Sequence, residues 1–215
     1  MERSMKVLNT LIGISFLFTL YFSLDGVSTI YTISKSATTF LILLLPFFST
    51  LKEETFSIKG VVLGLLFCLM GDILILKESL FVFALGSFLI GHLVFSVVLI
   101  QKCGFQRNLF VLFPLLFIAI VLFISMRSGL GAIKIPVIFY IGCIVFMCWQ
   151  ALSVHLQFKN KASMWFALGA LLFLISDSVL GINKFVGTFS YSSVLILSTY
   201  WGGIYGISRA THFKI

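Results

Sequence analysis

GLLFCLMGD at 64–72 and GALLFLISD at 169–177 run through apolar residues and end on one carboxylate each, Asp72 and Asp177. Both segments are long and apolar enough in their flanks to cross a bilayer as helices, since a spanning strand outside a closed barrel cannot satisfy its backbone in lipid. An ionisable group at membrane depth costs about 2.5–3.5 kcal/mol on insertion scales, so it is seldom kept without use. The chain has only seven acidic residues, and most of the others lie at segment ends. Two carboxylates at matching places in two matching segments point to one shared site.

The rest of the composition agrees with a polytopic membrane protein. The chain has 215 residues, 60% of them hydrophobic, with 25 Phe and 10% charged, and its mean hydropathy is +1.16. Soluble domains carry about 25% charged residues. The net charge of +8 comes from Lys and Arg spread singly over short loops, as orientation signals are, without the basic run or aromatic platform of a nucleic-acid binder. The cysteines Cys68, Cys103, Cys143 and Cys148 show no CxxC spacing and read as small buried hydrophobes. Arg3 and Lys6 precede an apolar stretch at 7–22 with no small-residue cleavage pattern after it, which reads as a retained first span.

Charged and turn-forming residues divide the chain into about eight apolar segments, near 7–24, 29–50, 58–76, 79–100, 108–126, 133–153, 162–182 and 190–209. The expected fold is an all-α integral membrane bundle of about eight transmembrane helices in one polytopic domain, 1–215. Ser28, Thr29, Thr32, Ser34, Lys35, Ser36, Thr38 and Thr39 crowd the start of the second segment, so that segment either lines a cavity or lies at the membrane surface. Ten cations fall at the termini and even-numbered loops (Arg3, Lys6, Lys52, Lys59, Lys102, Arg107, Lys159, Lys161, Arg209, Lys214), and five at the odd-numbered loops (Lys35, Lys77, Arg127, Lys134, Lys184). That bias predicts cytoplasmic termini. Asp72 and Asp177 stand in spans three and seven, which fits a tandem pair of four-span units, about 1–105 and 106–215, related by an axis along the membrane normal. Counting back from Lys77 and Lys184 at ~1.5 Å per residue puts both carboxylates at similar depth, ~8–10 Å inside one boundary.

Asp72 and Asp177 are the candidate catalytic pair. The plainer reading pairs each with a lysine reaching back from its loop, Lys77 or Lys184. In one low-dielectric cavity, a carboxyl that keeps its proton can donate it while an ionised partner stabilises positive charge. Lys35 can hold a phosphate or an aspartate, or snorkel to the interface. His92, in GSFLIGH, is a mid-span relay or substrate ligand, or a ring bonded to a carbonyl. Tyr140 and Tyr200 each carry a hydroxyl inside a span that needs a partner, either a substrate oxygen or a neighbouring helix. Trp149 and Gln150 read as residents of the membrane interface, and GGxxxG at 202–206 as a close helix contact. Three scattered histidines without HxxxH or HExxH give no metal site, and no GxSxG or phosphate-binding glycine loop is present.

GLLFCLMGDILIL followed by FALGSFLIGHLVFS resembles the central signature of the YhhN-like membrane proteins, the lysoplasmalogenase family. GALLFLISDSVLGINKF is similar to the family's second signature, and LSTYWGG to its final-span Thr-Tyr element. The resemblance runs from about Lys35 to Tyr200 and is strongest at Gly71-Asp72, Gly91-His92, Ser176-Asp177 and Thr199-Tyr200. Lys35-Ser36 stands where the family has Lys-Pro, and Gly203-Ile204 where it often has Ala-Gln. The resemblance implies an eight-span hydrolase, in a bacterium an inner-membrane one, that splits the vinyl ether of a lysophospholipid taken from the bilayer and needs no cofactor. Asp72 and Asp177 would then divide the acid and base roles, with Lys35 at the phosphate and His92, Tyr140 and Tyr200 at the substrate.

Two other classes fit parts of the sequence. A proton-coupled transporter of lipid or small molecules would also use doubled halves with intramembrane carboxylates, but Pro46, Pro114 and Pro136 do not fall at matching repeat positions. An intramembrane aspartyl protease also places two aspartates on separate spans, but its GxGD is absent, 69–72 reading LMGD.

Overall fold

The computed structural model describes residues 2–24, 29–51 and 53–215. Ser28 and Lys52, which entered the reading of the second segment and the charge count, lie outside the described residues. Among the described residues the chain forms eight long helices: α1 (Glu2–Ser23), α2 (Thr29–Leu44), α3 (Ile58–Leu74), α4 (Phe81–Cys103), α5 (Leu109–Met126), α6 (Lys134–Phe158), α7 (Lys161–Phe185) and α8 (Ser192–Ala210). Six of them, α1, α2, α4, α5, α6 and α7, are long and apolar enough to cross a membrane by length and composition. The α3 helix has 17 residues and α8 has 19, the latter interrupted by serine, threonine and glycine. Each expected segment corresponds to one helix. Two of the three prolines mark helix ends: Pro46 sits in a short 3₁₀ turn after α2, and Pro136 in the first turn of α6, where its missing N–H is harmless.

The helices close into a ring. Neighbours pack in the order α2, α3, α4, α6, α7, α8, and α8 returns to α2. Two helices stand outside it: α1 against α2 and α8, and α5 against α6 and α7. The apolar side chains of α1 and α5 therefore face outward for the most part, including Phe110, Phe113 and Phe117, which suits contact with lipid. Inside the ring runs a column of aromatic side chains. Phe56 meets Phe166, Phe166 meets Phe95, and Phe173 meets both Phe88 and Tyr200, with ring centroids 4.9–6.4 Å apart. Such pairs add about 0.5–1.5 kcal/mol each beyond burial.

Glycine sets the tightest helix contact. A Cβ at Gly169 of α7 would lie 2.6 Å from the Gly203 carbonyl oxygen of α8, and one at Gly206 would lie 3.0 Å from the Trp165 carbonyl oxygen. The GGxxxG of α8 thus brings two backbones together, as small residues do in membranes.

Both termini lie at one end of the bundle. Tyr205 donates to Asn9, the guanidinium of Arg209 reaches Met5, and the last amide, of Ile215, donates to the Glu54 carbonyl. At the same end Gln150 is fully buried, accepting from the Gln106 amide and donating to its carbonyl, while the Trp149 indole donates to Asn108. These two residues pin the α4–α5 connection, a role that interface preference alone did not reveal. The second segment is settled as well. It is a ring helix with Ser34, Lys35, Thr38 and Thr39 buried, and Thr38 bonds Ser15 of α1 at 2.7 Å.

Candidate functional site

At the opposite end, where α2 and α8 begin and α3 and α7 finish, the ring holds a partly open cavity of about 210 Å³, the polar side chains gathered on its wall. Lys35, Asp72, Asp177 and Tyr200 line it, with Ser176 and Asn183 beside them. Helix spacing explains the gathering. Lys35 and Thr39 are one turn apart on the inner face of α2, and Ser176-Asp177 and Leu180 are one turn apart on α7.

Asp72 is almost wholly buried and saturated with donors. The Lys35 ammonium lies 3.2 Å from its Oδ1. Thr39 donates to Oδ2 at 2.6 Å and Tyr200 at 2.8 Å, and the Trp201 indole donates to the Thr39 hydroxyl at 3.0 Å. Three helices, α2, α3 and α8, thereby meet on one carboxylate, with an ion pair and two charge-assisted hydrogen bonds.

Asp177 is held differently. Tyr140 of α6 donates to its Oδ2 at 2.5 Å. His92 of α4 places Nε2 at 3.8 Å from the same oxygen, beyond hydrogen-bond length. The His92 ring is completely buried against Phe173 and Tyr140, and among the described residues neither of its nitrogens has a hydrogen-bond partner. Asp177 is also the more open carboxylate, with 12% of its side chain exposed against 1% for Asp72.

The other four candidate residues thus converge on the two carboxylates. Lys35 and Tyr200 gather at Asp72, and His92 and Tyr140 at Asp177. Lys77 and Lys184 do not serve: Asp72 pairs with Lys35 instead of Lys77, and Lys184, which lies in the last turn of α7, binds Glu78 at 3.3 Å. The helices end unequally around the pair, since α3 stops at Leu74 soon after Asp72, whereas α7 continues for two more turns past Asp177 to Phe185.

Sequence reading missed Thr39, Trp201 and Asn183. Thr39 carried a usable signal, its position one turn beyond Lys35. Trp201 did not, because an indole beside Tyr200 gives no hint that it reaches across to α2. Asn183 lines the cavity with an Oδ1 that has no partner among the described residues.

The sequence profile of the YhhN family matches residues 30–211, which contain every residue of this site. Lysoplasmalogenase TMEM86A of Bos taurus is 28% identical over 153 residues, covering 67% of this chain and 62% of the relative. Lysoplasmalogenase TMEM86A of Homo sapiens is 29% identical over 151 residues, with the same coverage of both chains. The chain therefore spans less than two thirds of the length of these relatives. No solved structure matches it.

Proposed function

This chain belongs to the YhhN family, and from that premise we propose that it is a lysoplasmalogenase-type membrane hydrolase. It cleaves the vinyl ether bond of lysoplasmalogens to a fatty aldehyde and glycerophosphoethanolamine or glycerophosphocholine. The observation that carries this reading is a pair of carboxylates on one intramembrane cavity in unlike surroundings, Asp72 paired with the Lys35 ammonium and Asp177 facing Tyr140 and His92. The names of the similar mammalian proteins support it.

Vinyl ether hydrolysis begins with protonation of the β-carbon, and Asp177 is the donor in this proposal. Tyr140 occupies its Oδ2, which leaves Oδ1 to carry the proton toward the substrate. The C=C electron pair takes up that proton, and the carbon bonded to oxygen becomes an oxocarbenium ion. The negative charge of Asp72, fixed by Lys35, Thr39 and Tyr200, stabilises that cation without reorganisation. Water then adds to the cationic carbon, giving its proton to the Asp177 carboxylate, and the hemiacetal collapses to aldehyde and the glycerol hydroxyl. His92 Nε2 lies 3.8 Å from the Asp177 Oδ2 and can exchange a proton with it once that contact tightens on substrate binding. An ammonium has three donors, so Lys35 can bind the substrate phosphate while it holds Asp72.

The bundle is, in this reading, a single domain made of two four-helix units, about 1–105 and 106–215. The contacts correspond in pairs: α1–α2 with α5–α6, α2–α3 with α6–α7, α3–α4 with α7–α8, and α4–α6 with α8–α2. The interval from Asp72 to Asp177 also separates Lys35 from Tyr140 and Gly64 from Gly169. Each aspartate is thus approached by the second helix of its own unit and the fourth helix of the other, and the two-fold frame carries different side chains on its two sides. We place the protein in a bacterial inner membrane with both termini in the cytoplasm, on the bias of Lys and Arg toward the terminal end.

The test is aldehyde release by purified protein from lysoplasmenylethanolamine, beside its saturated alkyl-ether and ester analogues. Turnover of the vinyl ether alone is expected, with kcat reduced about 10²–10⁴-fold in Asp177→Asn, the range for loss of a general acid. Full turnover by that variant, or no turnover by folded wild type, overturns the reading.

A further inference from the structure

We propose that the hydrocarbon chain of the substrate lies in an apolar passage that leaves the polar cavity at Asp177 and runs between α5 and α6. The inference rests on the lysolipid reading above and adds to it the place of the chain and the control of chain length.

Asp177 and Leu180 line two cavities at once. On one side is the polar cavity. On the other is a narrow apolar one of about 50 Å³ among α4, α5, α6 and α7. This second cavity shares Ala119, Ile141 and Val145 with a larger apolar groove of about 430 Å³ between α5 and α6. Sharing these wall residues, the three lie in series, polar beside Lys35 and hydrocarbon-lined beyond Asp177, and in this proposal the substrate joins them into one path. Its few polar groups are already engaged: Tyr140 with Asp177, Ser178 with the Leu174 carbonyl, and the Trp149 indole with Asn108. Nothing beyond Asp177 calls for a polar ligand, so the path fits a molecule with a polar head and one apolar tail.

The junction coincides with the bond to be broken. In a lysoplasmalogen the vinyl ether joins the glycerophosphate part to the chain. A head group beside Lys35 and a chain beyond Leu180 therefore put that bond at the Asp177 carboxyl. Along α6 the passage extends from Val137 to Trp149, ~18 Å at the helical rise, which matches the ~15 Å of one leaflet of the hydrocarbon core. Trp149, pinned by Asn108, lines the far end. Because α5 lies outside the ring, the groove is open to lipid along its length. Moving a chain from lipid into an apolar groove gains little free energy, so the passage acts by holding the reacting bond in place.

Gly142 provides the test. It lines the groove, and a Cβ there meets nothing within 4 Å, so the backbone at Gly142 accepts a side chain and Gly142→Leu puts one into the groove. The ratio of kcat/KM for a hexadecenyl over a propenyl lysoplasmalogen, whose chain ends before it reaches Gly142, is expected to fall on the order of 10²-fold, the effect of about 1 Å of misplacement at the reacting bond. An unchanged ratio overturns the proposal. A second arm needs no hydrolysis: a saturated alkyl-ether lysophosphatidylcholine with a diazirine at its chain end is photolysed on the wild-type protein and on Gly142→Leu. Labelling of α5 and α6 near Phe146 and Trp149, lost in the variant, supports the passage even if the vinyl ether proves not to be the substrate. Labelling confined to α1 and α2, or spread over all lipid-facing helices, rejects it.

Discussion

Substituting Lys35 by Met would leave Asp72 with two hydroxyl donors and no counter-charge. Breaking a buried pair from one side costs about 3–5 kcal/mol, because the remaining charge is uncompensated. The Lys35→Met protein is therefore expected to unfold well below wild type in detergent, and Asp72→Asn alone to be destabilised in the same way by the orphaned ammonium. The double variant Lys35→Met/Asp72→Asn removes both charges, and its thermal midpoint should recover most of the loss. If the anion of Asp72 serves the reaction, that stable double variant stays inactive, which separates the fold's use of the pair from the chemistry's. A double variant no more stable than either single one would show that the pair is not coupled. The identities of these residues were legible in the sequence, since a carboxylate inside an apolar span attracts notice. Their division of labour was not, because nothing in the chain order says that Lys35 faces Asp72 while Tyr140 faces Asp177.

At the scale of elements, α7 and α8 decide where Tyr200 can reach. Their axes approach on glycine, with Gly169, Gly203 and Gly206 in backbone contact, and Tyr200 stands one turn before Gly203 on α8. A leucine at Gly203 would push its Cβ to within 3.0 Å of the Gly169 carbonyl oxygen and the Phe173 amide. Backbone cannot yield as a side chain can, so Gly203→Leu is expected to cost at least the ~1–3 kcal/mol of overpacking and to withdraw Tyr200 from Asp72, lowering activity as well as stability. Gly86→Ala is the control: its Cβ meets nothing within 4 Å, and the better helix propensity of alanine should hold or raise the midpoint, by up to about 1 kcal/mol. Thermal unfolding and aldehyde release on both proteins check the contrast. Equal behaviour of the two variants would count against close packing of α7 and α8. The GGxxxG was visible in the sequence, but its partner, Gly169 with the Trp165 carbonyl, became visible only when the helices were set side by side.

Over the whole molecule, the closed ring puts the site at one end and both termini at the other. Reporter fusions at the two ends of the chain should therefore register the same side of the membrane, and the Lys and Arg bias predicts the cytoplasm; a cysteine at Glu78, beside the site, should react with an impermeant thiol reagent from the other side. Opposite signals from the two termini would contradict the fold. The sequence by itself determined the number of helices and roughly where each lies, because a span needs about 20 mainly apolar residues between polar interruptions and that requirement is local; the ends differed by up to six residues, as at α2 and α6. It also marked the two carboxylates, whose cost in lipid makes them conspicuous wherever they pack. Only the tertiary structure decided which helices form the ring and which stand outside. Hydropathy in a membrane does not distinguish a face turned to lipid from one turned to another helix, and the choice falls to packing and polar contacts between distant residues. For the same reason the reach of Trp201 to Thr39 and the passage beyond Asp177 came from the fold alone: each depends on side chains meeting across helices far apart in sequence.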